Sequence, residues 1–349
     1  MTDAEVPPRE RLRQLVNGYQ VTQAIHVAVV LGLPDLLAAG PRSASELVAE
    51  TGSHPGSLYR LLRALTSVGL LRTSGEDDDR QFELTELGHL VRNDVSGSLA
   101  GWVMLVGRPY HWAAWGDLLH SVQTGETAFD ARHGGESVWA WRERRPEESR
   151  IFDRAMSSIA ATVARGLADV YDFSGCAMVA DLGGGEGTLL STVLPRYPDM
   201  NGVLLDLPHV VSGAPAVLAA AGVADRCEIV PGSFFESLPS GCDAYVLKSI
   251  LHDWDDAASL QILQQVREAT SATSKVLIVE RIVNDREPSV IAAMSDLNMM
   301  VNTGGQERSI EHWRALTGAA RFELARTIDI GFGWSVIEAT RSPDEHSGT

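Results

Sequence analysis

The segment Val179-Ala-Asp181-Leu-Gly183-Gly-Gly185-Glu-Gly187-Thr188 joins an apolar run to a helical one through a glycine-rich turn. Ala177 to Asp181 predicts a buried strand, and Leu189 to Val193 predicts the helix after it. Glycines let such a turn bend sharply and let a ligand approach the backbone. A glycine triplet alone is weak evidence, but two carboxylates frame this one. Asp181 closes the strand before it. Asp206 closes the next strand, 23 residues after Gly183, where an acid can grip two ribose hydroxyls. Outward from this point, Gly202 to Asp206, Glu228 to Pro231, Ala244 to Lys248 and Lys275 to Glu280 read as further buried strands with helices between them. That alternation predicts an α/β fold with a mostly parallel, Rossmann-like sheet. Phe322 to Ile328 and Gly333 to Ala339 follow with no helix between them and predict an antiparallel final pair.

The ligand is narrowed by the same residues. A dinucleotide fold typically carries GxGxxG and two mononucleotide halves. This chain has one glycine loop, preceded by an acid, in the DxGxGxG pattern of methyl-donor folds, and it ends in a reversed hairpin. The donor S-adenosylmethionine is cationic at sulfur, which suits an acidic pocket. A pyrophosphate would prefer bare amides at a helix end.

The first third reads as helical. Leu12, Leu15, Val16 and Tyr19 begin an apolar stripe that continues to Leu31, and Gly32 with Pro34 ends it. Ser43-Ala-Ser-Glu46 has the capping-box pattern. A helix from about Ser57 carries Leu58, Leu61, Leu62, Leu65 and Val68, and Gly69 to Arg72 with Gln81 to Leu84 predicts a two-stranded wing. Helix, helix, wing is a winged-helix arrangement. Its presumed recognition helix offers only Arg60 and Arg63 as cations, and Glu76 to Asp79 make the wing tip acidic, which argues against nucleic acid as a partner. The expected organisation is residues 1–98 as this mainly helical domain, 99–172 as a helical linker and substrate-pocket segment, and 173–349 as the sheet domain.

Composition narrows the function class. A formal charge of −17 repels nucleic acid and anionic membranes on average. Cys176, Cys227 and Cys242 form no CxxC pair, and no secretion signal opens the chain, which points to a reducing cytoplasm. Ala24 to Gly40 is too short and interrupted to cross a bilayer. Met1 to Arg9 and Ser342 to Thr349 lack periodicity and are expected to be disordered.

The motifs Asp181 to Gly187, Leu205-Asp-Leu-Pro-His209, Pro231-Gly-Ser-Phe-Phe235, Lys248-Ser-Ile-Leu-His-Asp-Trp-Asp-Asp256, Val279-Glu280 and Gly304-Gly-Gln-Glu-Arg308 occur in that order. From about residue 11 to residue 340 the chain thereby resembles the plant caffeate-type and bacterial antibiotic-type small-molecule O-methyltransferases. The resemblance implies a winged-helix-like dimerisation domain, hence a homodimer, followed by a Rossmann-like methyltransferase domain. It implies S-adenosylmethionine as cofactor, S-adenosylhomocysteine as product, and no metal. It places Gly183 and Gly185 near the methionine part, Asp206 with Leu207 at the ribose, Gly232, Ser233 and Phe234 beside the adenine, and Lys248 next to the cofactor. Ser233 stands where the family often has Asp, so that contact lacks a charge.

His252 is the expected general base, because it lies just past the end of a strand, where open α/β sheets bind ligands. An imidazole of reference pKa ~6.5 is mostly neutral at cytoplasmic pH, whereas a phenol near ~10 needs help to lose its proton. By resemblance Glu280 and Glu307 flank the histidine and fix its tautomer. Asp253 is an alternative partner. No ligand cluster for a metal is apparent in the spacing. Trp112, Phe152, Met156, Met299 and Asn302 are the expected substrate contacts, with His111 and His133 as weaker pocket candidates. Aromatic residues between Trp102 and Phe152 would wall a pocket for a flat, small aromatic molecule. By family analogy the acceptor is a polyketide, phenazine or quinone. Transfer to nitrogen or carbon, methyltransferase-like hydroxylation or decarboxylation, and a winged-helix DNA-binding regulator are the competing readings.

Overall fold

The computed structural model describes residues 6–75, 79–95 and 97–343. They fall into two compact units, one of residues up to Trp112 with Arg150–Ile159, the other of Ala113–Ser149 with the chain from Ala160 onward.

In the first unit, Pro8–Val16 forms a helix, as the stripe from Leu12 predicts, but it starts earlier and takes in Pro8 and Arg9, which were expected to be disordered. Pro7 precedes it, Pro8 occupies its first position and Glu10 its first turn, all favourable at a helix start. The helix Gly18–Val30 follows after a break at Asn17. The stripe on these helices is not a core stripe, because Leu12, Leu15, Val16 and Tyr19 are each more than half exposed. Ser43 caps Ala44–Thr51 with the full capping box, its hydroxyl taking the Glu46 N–H while the Glu46 carboxylate accepts the Ser43 N–H. Pro55–Ser67 buries Leu58, Leu62 and Leu65, while Val68 stays exposed. The wing strands Leu71–Ser74 and Gln81–Leu84 pair antiparallel, and Arg42–Ser43 adds a third strand that two residues were too short to signal. Leu33, Leu47, Leu62, Leu65 and Phe82 form the core of this unit. The acidic wing tip, Glu76 to Asp78, lies outside the described residues.

The second unit is built on seven strands: β1 (Met178–Leu182), β2 (Asn201–Asp206), β3 (Cys227–Pro231), β4 (Ala244–Lys248), β5 (Lys275–Glu280), β6 (Phe322–Gly331) and β7 (Trp334–Arg341). Their order is β6-β7-β5-β4-β1-β2-β3. β1 to β5 are parallel, and β7 lies antiparallel between β5 and β6. The central strands read as continuous apolar runs because both faces of a parallel sheet are covered. The order reverses between β1 and β4, so the loops after β1, β2, β4 and β5 converge at one sheet edge, where such folds hold ligands. Tyr245, Leu247, Ile278, Trp313 and Ile337 belong to the core under this edge. Among the described residues no helix is long and apolar enough to cross a membrane.

Candidate active site

β1 runs one residue past Asp181, so the carboxylate is buried inside the sheet edge rather than at its tip. Both its oxygens lack a hydrogen-bond partner among the described residues. Burial pushes this carboxyl up to about 7, against the pull of Lys248. The loop after it turns through left-handed glycines, with φ of 69° at Gly183, 64° at Gly185 and 84° at Gly187. A side chain at Gly184 would meet Asp181 Oδ2 at 2.4 Å, and one at Gly183 would meet Ile250 Cδ1 at 2.4 Å. At Gly183 and Gly184 the loop leaves no room for a Cβ, whereas Gly185 faces open space.

Asp206 organises the same edge. Gly185 N–H donates to Oδ2 at 2.8 Å and Leu207 N–H to Oδ1 at 2.7 Å, while the backbone C=O of Asp206 accepts Gly232 N–H. Each carboxylate oxygen keeps a lone pair for a ligand hydroxyl. Ser233 is occupied locally: its Oγ accepts the Phe235 N–H at 3.2 Å, closing a turn that presents Phe234. Phe234 lies edge-on to Trp254, 6.1 Å between centroids, and near the Gly183 backbone. Lys248 ends β4 partly buried and donates to Ser249 Oγ. Burial lowers its ammonium pKa, opposed by Asp181, Glu280 and Asp253.

Ser249, at φ 56°, takes a left-handed turn that few non-glycine residues adopt, and a 3-10 turn Leu251–Asp253 follows. His252 Nδ1 lies 3.0 Å from Glu307 Oε1 and 3.5 Å from Glu280 Oε2. Glu280 Oε1 accepts the Ile250 and His252 N–H groups, so this acid fixes the turn as well as the ring. Glu307 is itself held: Ser295 Oγ–H donates to Oε1 at 2.6 Å and Asp296 accepts the Glu307 N–H. Nδ1 is thus engaged, which leaves Nε2 as the nitrogen open to a reacting group. Asp253 lies on that other side, 3.9 Å from Nε2, and does not serve as the Nδ1 partner.

The electrostatics of the cluster bear on His252 directly. Burial alone would push the His252 pKa down, but Glu280, Glu307 and Asp253 outweigh it and raise it to about 10. The carboxylates therefore favour the protonated ring more strongly than its reference value suggests. Burial drives Glu280 up to about 7, whereas His252 and Ser295 hold Glu307 below the usual carboxylate range despite its burial. Replacing Glu307 with glutamine removes a charge that raises the His252 pKa. An NMR titration of the His252 ring in that variant is expected to give a midpoint below that of the unaltered protein; an equal or higher one would sink this account. His252, Glu280 and Glu307 also bring one ligand atom each within 4.8 Å of one another, a grouping the sequence spacing does not reveal. A metal ion there would have to displace the Nδ1 proton that the carboxylates hold.

The expected substrate contacts divide between the units. Trp112, Phe152 and Met156 belong to the first, where Trp112 meets Tyr19 edge-on at 6.2 Å. Met299 and Asn302 belong to the second, both buried on the helix Val290–Asn302. Asn302 Nδ2 donates to Asn298 Oδ1, which also accepts from Trp115 Nε1, and Asn302 Oδ1 has no partner among the described residues. His133 stacks on Phe129 at 4.0 Å as part of the packing. Sequence reasoning missed Ser295, Asp296 and Asn298. Their signal was available: polar residues at 295, 298 and 302 step along one face of an otherwise apolar helix.

Comparison with known proteins matches residues 13–93 to the O-methyltransferase dimerisation domain and residues 115–323 to the O-methyltransferase domain. The chain is 39% identical to a mitomycin biosynthesis 6-O-methyltransferase of Streptomyces lavendulae, over 95% of this chain and 94% of that one. It is 39% identical to a phenazine O-methyltransferase of Lysobacter antibioticus, over 96% of each. A third relative, 36% identical over 94% of each chain, is the 8-amino-8-demethylriboflavin N,N-dimethyltransferase of Streptomyces davaonensis. Among solved structures, LaPhzM superposes with a TM-score of 0.90 at 39% identity, covering 96% of this chain and 100% of that one. An O-methyltransferase of neocarzinostatin biosynthesis, solved with S-adenosylmethionine and 2-hydroxy-5-methyl naphthoic acid, gives 0.77 at 34% identity, covering 92% and 96%.

Proposed function

The chain belongs to the O-methyltransferase family, and from that premise we propose that it methylates a hydroxyl of a flat aromatic secondary metabolite, using S-adenosylmethionine and His252 as general base. The observation that carries the reading is the buried His252–Glu307 pair, backed by Glu280, with Nε2 left open.

The cofactor fits the residues present. Asp181 offers two buried oxygens, without a partner among the described residues, to the α-ammonium of the methionine part, and Asp206 offers lone pairs to ribose hydroxyls. When bound, S-adenosylmethionine supplies an electrophilic methyl on a positively charged sulfur. Loss of the Asp206 carboxylate removes a charged hydrogen-bonding group of the kind worth ~1.5–3 kcal/mol. Asp206→Ala is therefore expected to weaken S-adenosylmethionine binding by about tenfold to a hundredfold in calorimetry; unchanged affinity would remove the ribose assignment.

In the reaction His252 takes the acceptor's proton at Nε2 as the oxygen becomes nucleophilic. Glu307 and Glu280 hold the charge that then sits on the ring. The same carboxylates raise the ring's proton affinity towards that of a phenol, which lies near ~10. Proton transfer between groups of similar strength needs little driving force, and the neutral, accepting form grows as pH rises.

The homodimer is supported by the dimerisation-domain match and by Leu12, Leu15, Val16 and Tyr19, whose exposed apolar faces suit a second copy. The −17 charge argues against nucleic acid and anionic membranes as partners, and the sparse, unpaired cysteines suit the cytoplasm. A second reading, transfer to an aromatic nitrogen, is favoured by the riboflavin-type relative. Mass spectrometry of products from a panel of phenols and matched anilines separates the two. Methylated phenols support the first reading, and methylated anilines alone would replace it with the second.

A further inference from the structure

Arg308 follows Glu307 and is completely buried, in a two-residue strand, Arg308–Ser309, paired with Ile282–Val283. Its guanidinium does not reach the reacting groups. Instead Nη1–H donates to the Leu251 C=O at 2.8 Å, and Nη2–H donates to the Trp254 C=O at 2.8 Å and to Ser259 Oγ at 3.1 Å. Nε–H donates to Asp256 Oδ1 at 2.9 Å, and the group lies over the Trp313 ring at 5.3 Å. Leu251 and Trp254 bracket the turn that carries His252. One rigid, planar fork therefore fastens both ends of that turn to the residue next to the Nδ1 partner of His252.

The clamp is anchored on its outer side too. Asp256 Oδ1 also accepts from Gln306 Nε2 at 3.0 Å, and Oδ2 lies 2.8 Å from His312 Nε2. Ser259 Oγ–H donates back to the Leu251 C=O at 3.1 Å. Burying a guanidinium is costly unless its donors are matched, and each of its three nitrogens is matched here. A lysine could carry the charge but could not span two carbonyls three residues apart while meeting Asp256.

We propose that Arg308 is a positioning residue for the base, holding the His252 turn and the Glu307 segment in register so that Nδ1 stays paired and Nε2 stays aimed. This rests on His252 being the base. A misplacement of about 1 Å at a reacting group can cost ~10²-fold in rate, and the Nδ1–Glu307 contact has no slack for one.

The test compares Arg308→Lys, Asp256→Asn and His252→Ala with the unaltered enzyme. Asp256 is half exposed, so its variant probes the clamp even if the buried lysine variant fails to fold. For Arg308→Lys we expect kcat with the best phenol of the panel to fall ~10²-fold. For Asp256→Asn we expect a smaller fall in the same direction. Calorimetric S-adenosylmethionine affinity should stay unchanged in both. The low-field Nδ1 proton resonance of His252 in the cofactor-free protein should broaden or vanish, and the ring's titration midpoint should fall as it drifts from Glu307. Folded variants with normal kcat, or with reduced kcat but an unaltered resonance and midpoint, overturn the positioning role. Normal turnover in His252→Ala instead overturns the base itself, which keeps the two failures apart.

Discussion

His252→Ala is expected to lower the rate of methyl transfer to a phenol ~10²–10⁴-fold, the range a positioned general base supplies, while calorimetry finds S-adenosylmethionine affinity unchanged. The glycine loop and Asp206, the groups proposed to hold the cofactor, are joined without the imidazole through the Gly185–Asp206 contact. The substitution also leaves Glu280 and Glu307 buried without their cation. Both carboxyls are then raised relative to the intact site, since His252 lowers both there. A group raised on folding stabilises below its unfolded pKa and loses that contribution as pH climbs through the folded value. The variant's melting temperature should therefore fall further below that of the unaltered protein as pH rises from about 4.5 to beyond about 7. His252→Gln, which keeps a polar group in the gap, is the second variant if alanine destabilises too strongly. Turnover near the unaltered rate in either folded variant would end the base assignment. It would also favour a nitrogen acceptor, whose lone pair needs no base to attack.

Gly305→Ala is expected to be nearly as damaging to turnover. A Cβ there would lie 2.0 Å from the His252 carbonyl oxygen, 2.4 Å from Asp253 C and 2.6 Å from Trp254 N. All three are backbone atoms of the turn that carries His252, so no flexible side chain can yield. Either that turn or the Gly304–Glu307 segment must move, and the 3.0 Å contact between His252 and Glu307 spans the two. Overpacking typically costs about 1–3 kcal/mol; the resulting displacement should cost ~10²-fold in kcat. Thermal melting and steady-state kinetics measure the two effects. A variant that melts normally and turns over normally would mean the segments are not rigidly joined.

Much of this architecture was legible in the sequence. Central parallel strands are apolar on both faces, so β1, β2, β4 and β5 announced themselves as apolar runs, and β6 and β7 as a pair with no helix to separate them; β3 was expected to be buried but is an edge strand with Glu228 exposed and no residue fully buried. Asp206 was legible because its place at the end of β2 follows from the sheet. Arg42–Ser43 was not, since two residues carry no periodicity and only pairing with Gln81–Leu84 makes them a strand. The stripe Leu12, Leu15, Val16 and Tyr19 had the right spacing for burial, but spacing cannot say whether the burying surface belongs to the same chain. The charge state of His252 was hidden for a related reason. Its reference pKa is a property of the residue, whereas its actual state is set by carboxylates 28 and 55 positions away. Arg308 was visible only as the last letter of a motif, because the partners that tie it to the His252 turn, the Leu251 and Trp254 carbonyls, have no signature in sequence.

The central claim is transfer of a methyl group to an aromatic oxygen by His252 as base. It is tested most directly by supplying S-adenosylmethionine with a deuterated methyl group and locating the label in the product by mass spectrometry and NMR. The account predicts a labelled methyl ether on a phenol with the unaltered enzyme, and essentially none with His252→Ala at equal cofactor occupancy. A label on nitrogen or carbon, or equal labelling by the alanine variant, would contradict it.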